Sequence, residues 1–442
     1  MSVKIFKVQK IDDGAAVRSS LSSRTWLPDC VREPCSVRVE NAQDEYVPGI
    51  ARVRMIDMRL ALAVLTAVIA IHSQPVQAQE LPGSSAPNIE RVGSLEVLTL
   101  HRSRTGAGKS PQFLSVTLLP NRGMDMFQIT ADIPGRGETQ LIASSSLEEA
   151  ARRMDDPNGN PWGYVGSGMG GAFLIPWSSR ISGEASPDHS TISTVWHGQR
   201  LTLHANSNGK YAIHGLLHKT QMEDLRTTTT SDGQTVSGVL HAGDFGGRWI
   251  SATDLRFTVS LVADAVEVKI EATNIGDKAE PMGIGWHPYF ALPSHDRSQA
   301  LLQVAAERYA ETVPSDGLTT GVLIPVASTQ FDFSKPEAAH LPDAPVNVNF
   351  STLHRNGCVA RLSDPAADYG LCVRLLSPAM HTVQVYSPKD AGFVAIEPQF
   401  NFPDPLGQEW KNMNTGLVTL DPGATAVWHV RLELFRPKTS RK

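Results

Sequence analysis

Four ionisable side chains stand where strand-like apolar runs end. "GGAFLIPWSSRI" sets Arg180 after such a run and a proline, and "YAIHGLL" sets His214 before a glycine. "GWHPYF" holds His287 between a tryptophan and a proline, and "FVAIEPQFNFPDPLG" places Glu397 directly after Phe393 to Ile396. Singly, each has an ordinary structural explanation: a framework histidine, a surface arginine, a glutamate capping a turn. Their repetition points to a cleft, because strand ends and the loops beyond them are where a scaffold presents reacting groups. Proline next to both His287 and Glu397 presets the backbone there, as an acid and a base held close to reacting atoms require.

One carboxylate and one imidazole suit moving a proton off one oxygen and onto another, general acid–base catalysis without a covalent intermediate. Other chemistries lack their residues. There is no serine or cysteine elbow for acyl transfer, no HExxH or CxxC pairing for zinc, and "GSGMGG" at Gly166 to Gly171 lacks the ending of a phosphate loop. Glycoside hydrolysis normally uses two carboxylates. The reading therefore implies no metal and no cofactor. With 45 acidic against 40 basic residues and no basic cluster interleaved with aromatics, nucleic acid is excluded as a partner. A neutral or weakly charged small molecule fits better.

The elements that position these groups read as β. "DLRFTVSLV" and "AVEVKIEAT" alternate apolar and polar residues and meet at a tight "ADA" turn, and "VWHVRLELF" repeats the pattern near the C-terminus. Helical periodicity is limited to "SLEEAARRM". The fold class is all-β, a large antiparallel β-sandwich in which two facing sheets bury alternate side chains. It is predicted as one domain over 91–437. Cys358 and Cys372 flank a predicted hairpin at "DPAADYG"; simple pairing does not set them opposite each other, so one disulfide and two buried thiols both remain open.

The N-terminal part has a different character. From Met58, "MRLALAVLTAVIAIHSQPVQAQ" has a basic start, an apolar middle and small residues at the end, the layout of a secretory signal, and its apolar run is shorter than the ~20 residues of a membrane span. The expected organisation is a non-native or disordered extension over 1–57, a signal peptide over 58–78 and a linker over 79–90. The protein is then exported, periplasmic or secreted, with no stable membrane insertion after cleavage. The oligomeric state is not legible.

In their order along the chain, "P-x-x-S-R-I", "H-G", "H-P-Y-F", "DF" at Asp332 and Phe333, and "I-E-P-Q" resemble the aldose 1-epimerase (mutarotase) family. The resemblance implies a galactose mutarotase-like sandwich with a free monosaccharide as substrate. It implies that Glu397 takes the proton from the C1 hydroxyl while His287 delivers one to the ring oxygen, so that the ring opens and recloses with inverted anomeric configuration. His214 and Arg180 would hold sugar hydroxyls. Ser179 stands where the family usually has Asn, and Asn347, in "NVNF", where it often has an Asp that binds sugar. Trp177, Trp286 and Tyr289 offer aromatic faces for a pyranose. A nearby negative Glu397 is expected to favour the His287 imidazolium. Three alternatives compete: an exported carbohydrate-binding protein of the same fold, a hexose-phosphate mutarotase, and an oligosaccharide-cleaving enzyme with Asp404 as second carboxylate.

Overall fold

Alternation becomes architecture at the central hairpin. The strands Thr253–Val262 and Ala265–Asn274 pair antiparallel and close with Val262 opposite Ala265. Leu255, Phe257, Val259 and Leu261 on one strand, and Val266, Val268, Ile270 and Ala272 on the other, point into the core. Thr425–Phe435 lies along the second edge of this hairpin, with Trp428 opposite Ile270. These three strands form the middle of a ten-stranded sheet.

A computed structural model describes residues 83–437, apart from 106–109, 157–165, 167, 263, 314–316, 336 and 412; the predicted extension and signal segment lie outside the described residues. Within the predicted linker, Ser84–Ser85 is an edge strand paired with Thr227 and Thr228, and Glu90 begins the strand Glu90–Val92. The one described α-helix, Leu147–Asp155, is capped by Ser146, whose hydroxyl accepts from the Glu149 amide.

Facing the ten-stranded sheet is an antiparallel sheet of Thr319–Pro325, Ala306–Thr312, Val346–Leu353, Thr382–Ser387, Phe393–Gln399, Gly285–His287 and Ala172–Leu174, with Tyr289–Ala291 also paired to Phe393–Gln399. Val348, Phe350, Val383, Val385, Ile396 and Trp286 from this sheet join Phe257, Ile270 and Trp428 from the other in one continuous cluster. Phe173 meets Trp428 edge to face at 6.1 Å, and the Trp428 indole donates to the Pro398 carbonyl at 3.3 Å. The molecule is the large β-sandwich that the alternation predicts. Because one face of the smaller sheet packs inward, the other is left for polar residues, and the site is built there.

Cys358 and Cys372 form a disulfide with a Cα separation of 5.5 Å. The ladder sets Cys372 opposite Arg361, not Cys358; Cys358 lies before the strand, and its neighbour Val359 bonds back to Val373. The bridge is therefore diagonal, a pairing that in-register counting misses. Closing a loop between positions 14 apart in sequence constrains the unfolded chain. Cys358→Ser, measured by urea unfolding, is expected to lose about 2–3 kcal/mol of stability.

Candidate active site

His287 and Glu397 come together because their strands are neighbours in register. Gly285 pairs with Gln399 and Tyr289 with Ala395; halfway between these pairs, His287 stands abreast of Glu397. The row continues outward, Glu397 opposite Gln384 and Gln384 opposite Asn349. Directly opposed residues of antiparallel strands share a face, so four polar side chains from four strands form a band across the sheet. Two residues along, Tyr289, Tyr386 and Asn347 share that face. His287 Nε2 lies 3.4 Å from Glu397 Oε1.

Pro288 has a definite consequence here. It carries no N–H for the ladder, so the strand is interrupted between Gly285–His287 and Tyr289–Ala291. Alternation also decides the fate of the tryptophan. Trp286 faces the core, fully buried, stacked on Phe173 and donating its indole N–H to the Gly171 carbonyl at 2.9 Å. The expectation that Trp286 contacts substrate is corrected: as the residue between Gly285 and His287, it points through the opposite face of the sheet. Trp177 is likewise buried, stacked on Trp249 at 5.5 Å, and does not line the cleft.

Arg180 and His214 arrive at the rim from a two-stranded ribbon in which Ile213 pairs with Arg180. His214 adopts a left-handed backbone, φ 64°, and its amide donates to the Ser179 carbonyl. Gly215 follows at φ 74°, where a Cβ would lie 2.2 Å from the Ile175 carbonyl oxygen; only glycine fits. The ribbon is tied down by the loop after Phe393–Gln399. Asn401 accepts from the Ser178 amide and donates to its carbonyl, and Asp404 accepts from the Ser182 amide while its own amide donates to the Arg180 carbonyl.

The result is a cleft of about 260 Å³ lined by Arg180, His214, His287, Tyr289, Asn347 and Glu397, with Asn349, Gln384, Tyr386 and Gln399 completing its polar floor. That volume is below the ~300–1,000 Å³ of sites for drug-sized ligands and suits one sugar ring. The floor residues are period-two polar positions in "VNVNF", "TVQVYS" and "IEPQF"; amides, a phenol and a carboxylate sharing the outer face of half-buried strands were the available signal. Asn347 accepts from Gln384 at 2.8 Å. Tyr289 has one ring face on His287, with centroids 4.6 Å apart, and its hydroxyl lies 3.4 Å from His287 Nε2; it braces the imidazole.

Burial governs the charges. Desolvation raises the Glu397 carboxyl well above its ordinary range, opposed by a hydrogen bond from Gln399. Desolvation likewise pushes His287 down to about 4, opposed by a bond to its own backbone and assisted by nearby His218. His214, half-buried and 5.2 Å ring to ring from His287, is held neutral in the same way, by loss of solvent around its ring. The expectation of a populated His287 imidazolium is thereby corrected: removing two charges from water outweighs their attraction, and burial favours the neutral form of each partner. His218, which sequence reading passed over, bonds to the His214 backbone behind the cleft.

A family model described as aldose 1-epimerase matches residues 158–433. The chain belongs to the aldose 1-epimerase family. Among relatives, it is 25% identical to the uncharacterized protein YphB of Escherichia coli K12 over 275 residues, which cover 59% of this chain and 82% of YphB. It is 29% identical to the uncharacterized protein YihR of the same organism over 139 residues, covering 31% and 41%. Among solved structures, a galactose mutarotase-like protein from Clostridium acetobutylicum matches with a TM-score of 0.62 at 14% identity, over 79% of this chain and 98% of that one. A galactose 1-epimerase from Lactobacillus acidophilus matches with a TM-score of 0.55 at 18% identity, over 78% and 99%. These structural likenesses establish the mutarotase-like fold, and the epimerase family's region contains Arg180, His214, His287, Asn347 and Glu397.

Proposed function

We propose that the protein is an aldose 1-epimerase acting on a free monosaccharide. The observation that carries this reading is the placement of Glu397 and His287 side by side, 3.4 Å apart, on one wall of a ring-sized cleft. The ring oxygen and the C1 hydroxyl hang from a single carbon, so an acid and a base serving both must be neighbours. Glycosidases separate their carboxyls by ~5–9.5 Å. Asp404, the alternative second carboxylate, is buried and outside the cleft, bonded to the Ser182 amide. Arg180 is the one Lys or Arg among the described lining residues, which disfavours a sugar phosphate.

With a sugar bound, the pair takes its ionised form. Glu397 Oε1 accepts the C1 hydroxyl proton as the C1=O bond forms; the C1–O5 bond breaks, and its electron pair takes a proton from His287 Nε2. The opened aldehyde then faces a protonated Glu397 and a neutral His287, the neutral forms that burial favours. Rotation about C1–C2 turns the other carbonyl face to O5, and the same transfers in reverse close the ring as the opposite anomer. Protons are conserved within the pair. Arg180, His214, Asn347 and Gln384 hold the remaining hydroxyls.

The test is polarimetry on freshly dissolved aldoses, with Glu397→Gln as the control. Decay of rotation no faster than in buffer for every sugar, at saturating concentration, would leave a binding protein. The pair also dictates the pH profile. His287, held at about 4, takes a second proton only below that value and removes the base; Glu397, raised by burial, surrenders the last proton only above the ordinary carboxylate range and removes the acid. We therefore expect kcat/KM to be level between an acid limb near 4, set by His287, and an upper limb set by the raised Glu397. A step near 6.5, the ordinary imidazole value, would contradict the assignment.

Export is proposed as well. The signal-like segment from Met58 supports it, and so does the Cys358–Cys372 disulfide, a bond that persists in oxidising compartments. Mass spectrometry of the mature N-terminus after expression in a secreting host tests it, with cleavage expected after Ala78.

A further inference from the structure

The proposed relay needs more than a carboxylate near an imidazole. A carboxyl has two oxygens, and the relay works only if the proton sits on the oxygen that faces His287 and the sugar. We propose that Gln399 is a positioning residue that assigns the two oxygens of Glu397 their separate tasks, an inference that rests on the epimerase reading and deepens it.

The Gln399 amide nitrogen donates to Glu397 Oε2 at 2.9 Å, and both side chains are buried. An amide N–H can only donate, so the oxygen it meets must accept and cannot carry the carboxyl proton toward it. Oε1, the oxygen 3.4 Å from His287 Nε2, is left as the proton's seat. The same bond stabilises the carboxylate and partly offsets the upward push of burial, keeping the ionised form within reach when substrate arrives.

The sequence makes room for this arrangement. Gln399 lies two residues beyond Glu397 on the same strand, hence on the same face, and directly opposite it is Gly285. A Cβ on Gly285 would come 3.2 Å from Gln399 Cγ and 2.9 Å from Ser178 Cβ. The first residue of "GWHPYF" is thus small so that the glutamine can lie across it. The other end of the amide, Gln399 Oε1, is buried without a hydrogen-bond partner and belongs to the cleft lining, where a sugar hydroxyl donor completes it.

The test is Gln399→Met, which keeps length and removes the donor, with thermal melting to confirm the fold. Loss of a hydrogen bond to the carboxylate is expected to move the alkaline limb of kcat/KM upward by about one to two pH units. A misdirected proton is expected to lower kcat by roughly tenfold to a hundredfold, while the lost sugar hydrogen bond raises KM by only about two- to tenfold. An independent readout needs no turnover: the carboxyl C=O stretch of protonated Glu397, followed by infrared difference titration and assigned by its loss in Glu397→Gln, should titrate at higher pH in Gln399→Met. If the glutamine instead presented its carbonyl to a proton on Oε2, its removal would move both the limb and the infrared titration downward. A downward or absent shift overturns the proposal. Should the wild type interconvert no aldose, the functional reading fails, while the infrared titration still decides the role of Gln399.

Discussion

Glu397→Gln is expected to lower kcat for anomer interconversion by about 10²–10⁴-fold, the contribution typical of a positioned general base, with a much smaller change in KM. The substitution preserves shape, so the strand Phe393–Gln399 and its pairing with Thr382–Ser387 should be unaffected, but an amide cannot take the C1 hydroxyl proton. Its effect on stability runs the other way. The folded carboxyl is raised above its unfolded value by burial, so the stability that Glu397 contributes is fully present below the unfolded pKa. It is lost as pH rises through the folded one. A neutral glutamine has no such loss, and the variant should be at least as stable as the wild type at neutral pH and above. Polarimetry paired with urea unfolding at pH 8 reads both quantities. An inactive but unimpaired fold assigns the loss to chemistry; activity within a few-fold of wild type would remove Glu397 from the mechanism.

Much of this site was legible from composition at the level of single strands. The four ionisable residues after apolar runs all reach the cleft, because a strand that must be buried carries a charge only where its face changes from core to cleft. Alternation placed the hairpin of Thr253–Val262 and Ala265–Asn274 to within one residue at its outer ends. What stayed hidden depends on which strands are neighbours. Nothing local says that Phe393–Gln399 lies between Thr382–Ser387 and Gly285–His287, so the shared band of Asn349, Gln384, Glu397 and His287 could not be assembled from one dimension. Trp286 failed for a related reason: proximity to His287 along the chain was read as proximity in the site, when a period of two sends neighbours to opposite faces. The charge state failed because attraction between the pair is evident in sequence, whereas burial of both partners is a property of the packed sheet.

His287→Asn is expected to lower kcat by a similar ~10²–10⁴-fold, and the His287→Asn, Glu397→Gln double variant to be no worse than the poorer single one. The two groups exchange one proton in a single relay, so removing either strands the other, and losses that belong to one unit do not add. The residual pH dependence carries further information. Without the imidazole, the buried acid has no internal partner to hold the proton, and it becomes a base only by losing that proton to solvent. The residual rate of His287→Asn should therefore rise with pH through the raised Glu397 range, where the wild type falls along its alkaline limb. In Glu397→Gln the remaining imidazole, its ring still buried and held near 4, can donate as an acid only below that value, so its residual rate should fall as pH rises from 4. Opposite slopes in the two variants, with a plateau in the parent, are what a shared proton requires. Parallel slopes, or a double variant slower by the product of the two single losses, would mean that the residues act independently.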